Sequence, residues 1–269
     1  MLWNRSYCKR NPILNTSQFK WNRRMNMKFG IIGAGPIGSN IAKKLVENGH
    51  DVRIADARGI ERLEGKKLAG TPVTVEDVVK NIDVLITSIP IDALPSIRNI
   101  VDKVEEDVVV VDTSNYYPQR NGKIEEVEKG MVESVWVSNH LGRPIIKAFN
   151  NFLAYTLEHR GASEGTHGRI AIAIAGDNLC HKKIIMGVAN ELGFDAVDGG
   201  SLSDSWRQQP GTPAYCTELT KEELTEALTK AKKEKAPLLR DQAIEKLSAS
   251  IGGYTHEDVI NVNREIFKS

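Results

Sequence analysis

The 269-residue sequence predicts an α/β fold: a Rossmann-type doubly wound parallel sheet followed by a small carboxyl-terminal α/β lobe. Three observations predict it. Uninterrupted Val/Ile runs such as "DVLITSIP" and "DVVVVDTSN" alternate with helical patterns, as strands buried on both faces do. A glycine-rich "GAGPIG" (residues 33–38) follows the first apolar run directly and opens an amphipathic helix. A further strand–helix–strand pattern lies beyond residue 150, where the first sheet already has its strands.

The first strand is "KFGIIG". The helix after it, "SNIAKKLVENG", places Ile37, Ile41 and Leu45 four apart while Lys43, Lys44 and Glu47 face away, and Gly49 closes it. "DVRIAD" is the second strand. "TPVTVEDVVKNI" reads as a short strand and a helix with Thr74 and Asp77 as its capping box. "DVLITSIP", then a helix over "IDALPSIRNIVDKV" with an early proline, then "DVVVVDTSN" continue the alternation. "GKIEEVEKGMVESVWVSNHLG" is largely helical and "RPIIKAFN" is the sixth strand. Beyond it, "GRIAIAIAGD", "NLCHKKIIMGVANELG" and "FDAVDGG" form one more βαβ unit. An aromatic and polar loop, "SLSDSWRQQPGTPAYCTEL", leads to a charged helix capped by Thr220 and Glu223, and two helical segments finish the chain. The expected organisation is a basic tail (1–27), a dinucleotide-binding domain (28–150), a substrate-covering lobe (151–235) and a helical extension (236–269).

Composition bounds the function. A chain 41% hydrophobic and 26% charged is globular, with no apolar run of about 18 residues to span a membrane. Cys8, Cys180 and Cys216 are scattered, which argues against a disulfide framework or a cysteine-rich metal site and for a reducing, cytoplasmic setting. Residues 1–27 hold six Lys or Arg and no acid; 36 less 6 leaves 30 basic against 35 acidic residues elsewhere. That balance suits no nucleic acid and no anionic membrane. The basic start is expected to be a disordered or processed tail, or to precede initiation at Met25 or Met27. Organellar import is its alternative reading.

In its strand–loop–helix–strand setting "GAGPIG" reads as a dinucleotide fingerprint. Gly33 permits the tight turn, Gly35 admits the pyrophosphate, Gly38 lets the helix pack on the strand, and the free N–H groups near Pro36 and Ile37 face the anion. Asp56 follows Gly33 by 23 residues (56 − 33), where an acid usually binds the ribose hydroxyls of NAD. Arg58, two residues on, is the type that holds the extra phosphate of NADP. Strand alternation points Asp56 and Arg58 the same way, so they are expected to pair and leave the guanidinium outermost.

Four separated stretches, "MKFGIIGAGPIGSNIAKKL", "VVVDTSNYYPQRNG", "IIKAFNNF" and "DSWRQQPGTPAYCTEL", resemble the dinucleotide-binding proteins related to NADP-dependent reductases of the deazaflavin coenzyme F-420. The reductase domains of the six-transmembrane metalloreductases look similar. The resemblance runs from about residue 28 to about residue 235. It implies NADP as cofactor, a small lobe over the nicotinamide, and hydride transfer to or from a flat redox ring. It also implies pyrophosphate on residues 35–38, the adenosine phosphate near Ala57 and Arg58, and the nicotinamide by Ser88, Ile89 and Pro90, with Ala148 and Asn150 on its other side. Relatives tend to carry a neutral residue where this chain has Asp56, so NAD stays open beside NADP.

Other candidates come from strand ends and the late loop. Asn115 ends the fifth strand; Lys147, Trp206, Arg207 and Gln208 could touch substrate or simply pack. His140, His159, His167 and His181 lack metal-ligand spacing, so no metal is expected. Cys216 has no evident base partner, and hydride transfer needs no protein nucleophile. The alternatives to a flat-ring reductase are an imine or other small-substrate dehydrogenase and a non-catalytic NAD(P)-sensing module. A small redox substrate and a second copy of the chain, making a homodimer through the terminal helices, are the expected partners.

Overall fold

A computed structural model describes residues 26–249 and 253–267. The expectations for the basic tail fall outside the described residues up to position 25. Met27, just before the first strand, is 2% exposed and belongs to the core.

Six parallel strands form the main sheet in the order β3-β2-β1-β4-β5-β6: β1 Lys28–Ile32, β2 Asp51–Ala55, β3 Thr71–Pro72, β4 Val84–Thr87, β5 Val109–Asp112 and β6 Ile146–Lys147. This order reverses direction beside β1, which opens a crevice at the carboxyl ends of β1 and β4. Helix α1 (Pro36–Glu47) buries Gly38, Ile41, Ala42 and Leu45 against one face. Alternate strand residues feed two cores. Phe29, Ile31, Ile54, Ile86 and Val111 join one, which continues into the lobe through Ile172 and Ile184. Ile32, Leu85, Val110 and Trp136 join the other. A doubly covered sheet needs apolar side chains on both sides, hence the unbroken Val/Ile runs.

Three helical expectations change. Residues 74–82 form turns rather than a helix, although the Asp77 N–H does donate to the Thr74 hydroxyl, which in turn donates to the Asp77 carboxylate. Arg53 takes the carbonyls of Asp77 and Lys80, and Asn81 adopts a left-handed φ of 50°, so the first turn has nowhere to propagate. The segment Ile91–Ile97 is 3-10, with Pro95 inside lacking an N–H to donate, and only α2 (Arg98–Val101) is α-helical. After the short α3 (Pro118–Asn121), the next stretch breaks at Gly130 (φ 98°) into α4 (Glu125–Glu128) and α5 (Glu133–Leu141).

The lobe begins with α6 (Ala154–His159) and holds the expected βαβ unit: β7 (Ala171–Ile174), α7 (Leu179–Glu191) and a parallel β8 (Asp195–Asp198). An antiparallel bridge between Lys147 and Ala175 ties β6 to the residue after β7. Cys180 lies in the first turn of α7, and Cys216 is free and buried. A 3-10 segment, Leu202–Gln208, opens the late loop. α8 (Lys221–Lys230) carries the predicted Thr220/Glu223 box, and α9 (Ala236–Ser248) and α10 (His256–Ile266) end the described chain. Among the described residues no helix is long and apolar enough to cross a membrane.

Candidate functional site

The turn after β1 is built around its glycines. Gly33 has φ 117°, and a Cβ there would sit 2.1 Å from the Ser88 carbonyl oxygen. At Gly38 a Cβ would sit 2.0 Å from the Gly33 oxygen. Both positions are closed to any side chain. Gly35 differs: a Cβ would meet nothing within 4 Å, so its bare backbone faces open space. It is the N-cap of α1, with no side chain of its own to cap that helix, and Pro36 starts it. Among the described residues the N–H groups of the first turn have no side-chain acceptor, which leaves them available to an anion.

That open space is a cleft of about 440 Å³. Gly35, Pro36 and Ile37, then Ser88, Ile89 and Pro90 after β4, and Asn115 beyond β5 all line it. Residues that the sequence pattern does not single out complete the lining: Tyr117, Arg120, Phe152 and Tyr215. The Tyr117 hydroxyl donates to the Tyr215 hydroxyl at 2.8 Å, joining the β5 loop to the late loop. Burial pushes both phenols above their ordinary pKa, so both remain neutral donors at physiological pH.

Other candidates are placed differently. Asp56, Ala57 and Arg58 follow β2, outside the cleft walls. Arg58 Nε and Nη2 donate to the two Asp56 oxygens at 3.1 and 3.2 Å, and the Arg58 N–H donates to Oδ1 at 3.0 Å. The pair forms through this tight turn rather than through strand alternation. The Asp56 side chain is 9% exposed and Arg58 67%, with Arg62 adding a second guanidinium 3.8 Å from Asp56. The Arg58 side-chain bond holds the Asp56 carboxyl below its usual range.

Ala148 and Asn150 are buried and stand behind the cleft rather than in its wall. Asn150 exchanges bonds with Asn115 (Asn115 Nδ2 to Asn150 O, 2.9 Å; Asn150 Nδ2 to Asn115 Oδ1, 3.0 Å) and accepts from Gln208 Nε2 at 2.8 Å. The three amides clamp the β5 loop, the β6 end and the late loop together. Lys147 is fully buried; its ammonium donates to Asp112 at 2.7 Å and to the Ser114 carbonyl. Arg207 stacks on Trp206, 4.8 Å from the ring centroid, and Trp206 lines a different cavity.

A six-stranded parallel sheet in this order, with an uncapped glycine turn opening a cleft at its switch point, defines the class of dinucleotide-binding Rossmann proteins. A family signature described as "NADP oxidoreductase coenzyme F420-dependent" matches residues 28–116, and the chain belongs to that family. It is 39% identical over 114 residues to the protein YjhV of Escherichia coli (strain K12), covering 41% of this chain and 80% of that one. It is 26% identical over 179 residues to the metalloreductase STEAP3 of Rattus norvegicus, covering 66% of this chain but 35% of that protein. Among solved structures, the hypothetical protein SMa0349 from Sinorhizobium meliloti superposes with a TM-score of 0.62 at 29% identity, covering 73% of this chain and 96% of that one. A structure described as "a putative f420 dependent nadp-reductase" from Arthrobacter sp. FB24 shares the fold with a TM-score of 0.57 at 16% identity, covering 67% and 87%.

Proposed function

We propose that the protein is an NADP-dependent reductase that passes hydride between the nicotinamide and a flat redox ring, of flavin or deazaflavin type, in the 440 Å³ cleft. The single observation that carries this reading is the combined lining of that cleft. A glycine turn fit for pyrophosphate shares one cleft with the aromatic side chains of Tyr117, Phe152 and Tyr215, fit for a planar ring. When bound, NADPH supplies the hydride. The chain supplies placement. Uncapped N–H groups of α1 hold the pyrophosphate, Gly35 allows its approach, and the turn after β4 supports the nicotinamide. Tyr117 and Tyr215, fixed by their mutual hydrogen bond, press the acceptor ring toward it and shed water from the gap.

Cofactor choice follows from the turn after β2. Asp56 is covered by two guanidinium bonds and a backbone N–H, while Arg58 and Arg62 remain exposed beside it. Two outward cations over a neutralised acid suit a 2′-phosphate. The reading is NADP in preference to NAD, with a narrower preference than a neutral residue at position 56 would give.

Anaerobic NADPH oxidation with a panel of deazaflavin, riboflavin and a cyclic imine tests the reaction. Turnover is expected with the flat rings and falls in Tyr215→Ala. Turnover with the imine alone would replace this reading with a small-substrate dehydrogenase; the β7–α7–β8 unit of the lobe, with no helix longer than 13 residues among those described, speaks against that. We also propose a homodimer through the terminal helices, where Leu238 on α9 and Tyr254 just before α10 stay exposed. A monomeric mass in light scattering at micromolar concentration would remove it.

A further inference from the structure

A second cavity, about 480 Å³, lies between the β5 loop, α5 and α9. It shares no lining residue with the cleft. Tyr116 faces it while the next residue, Tyr117, faces the cleft. A void of about 70 Å³ separates the two, lined by Tyr117 and Tyr215 on the cleft side and by Arg240 on the other.

Two nine-tenths-buried charges line this cavity with hydrogen-bonding capacity unused. Glu133, 4% exposed, accepts one bond, from the Tyr116 N–H at 3.1 Å, and among the described residues its other oxygen has no donor. Arg240, 7% exposed, donates through Nε to Asp241 at 2.8 Å, and among the described residues its two terminal nitrogens have no acceptor. Their unpaired atoms are not among the fully buried ones, so both heads open onto the cavity, where a ligand edge with matching groups can take them. Burial lifts the Glu133 carboxyl to about 7 even with the Lys147 and Arg240 charges lowering it. The remaining wall is aromatic and apolar: the Tyr116 ring, Trp206, Met131 and Pro210.

We propose that this cavity is a second ligand site, taking a small neutral molecule with an aromatic body and a lactam or amide edge. The edge has an N–H for the free Glu133 oxygen beside a C=O for the Arg240 guanidinium. The body fills the space between Tyr116 and Trp206. A net anion meets Glu133, with Glu128 and Glu234 at the wall; a net cation meets Arg240 and Lys233. A neutral edge with one donor and one acceptor satisfies both buried groups at once. The site is independent of the hydride-transfer reading, since it uses none of the cleft's residues.

Calorimetric titration of the full chain with quinolin-2(1H)-one tests it, with the N-methyl derivative as the probe lacking the donor. Saturable one-site binding is expected, persisting with NADPH present, and about tenfold weaker for the N-methyl derivative, the loss of one hydrogen bond to a charged group. Met131→Trp, which fills the mouth, should abolish it, and Glu133→Gln should weaken it by a similar factor. Should Glu133→Gln fail to fold, the two probes on the unmodified protein still decide. No saturable heat at the probe's solubility limit overturns the proposal. So does equal binding of both probes, or binding indifferent to Met131→Trp. Finally, if the unmodified protein takes no probe and Met131→Trp converts a dimer to a monomer in light scattering, the cavity is a subunit contact and the proposal fails.

Discussion

Asp56–Arg58 and Asp112–Lys147 are both acid–base pairs at the carboxyl ends of strands in one sheet, and their surroundings are opposite. The first sits after β2 near the sheet's edge, with its guanidinium 67% exposed. The second joins β5 to β6 with both side chains fully buried. The outer pair holds its acid quiet and presents a cation to solvent, where it can meet a ligand. The inner pair spends every charge on the protein: Lys147 binds Asp112 and the Ser114 carbonyl, and Asp112 also takes the Ser114 N–H and hydroxyl. A charged residue at a strand end is therefore a site only if its partner leaves it something to offer.

The largest expected effect breaks the inner pair. Lys147→Ala leaves the Asp112 carboxylate buried without its cation and should cost about 3–5 kcal/mol in urea denaturation. Arg58→Ala, the same truncation at the outer pair, should leave the denaturation midpoint almost unmoved. Equal losses at both positions would erase the distinction drawn here.

The glycine turn gives the next contrast. Gly38→Ala forces a Cβ onto the Gly33 oxygen and should lower both stability and NADPH affinity, the latter by more than about tenfold. Gly35→Ala meets nothing in the protein itself, so its melting temperature should hold while NADPH weakens. Nucleotide affinity unchanged in Gly35→Ala would show that the pyrophosphate does not approach there.

A third, smaller effect is pH-dependent. The buried Glu133 carboxyl titrates near 7 in the folded chain against 4.5 ordinarily. The folded state then binds the extra proton, so its contribution is complete below pH 4.5 and is lost as pH rises through 7. Stability should decline across that window by roughly 1–3 kcal/mol, and Glu133→Gln should flatten the decline. An identical slope in the variant would assign the loss to other groups.

Much of this was legible in the sequence, and the gaps have physical causes. The strand–glycine–helix–strand start reads directly, because its buried faces and tight turn demand particular residue types over short spacings. So does the capping box of α8. The helix expected over residues 74–82 was not to be had from local pattern, since Arg53, more than twenty residues away in the chain, captures its carbonyls. Lys147 looks like a substrate candidate until β5–β6 register sets it opposite Asp112. Tyr117 and Tyr215 meet across the cleft although far apart in sequence, and only the fold brings them together. Trp206 and Arg207 belong to the quoted late loop, but that loop turns them away from the cleft and sends Tyr215 in.

The outer pair carries the central claim, and titrating NADPH and NADH into the unmodified protein and two variants tests it most directly. The smallest of the expected effects is also the most diagnostic. NADPH should bind more tightly than NADH, Arg58→Ala should weaken NADPH by about tenfold while sparing NADH, and Asp56→Asn should tighten NADPH. Tighter NADH than NADPH in the unmodified protein, or equal weakening of both nucleotides by Arg58→Ala, would contradict a phosphate-binding role for that exposed guanidinium.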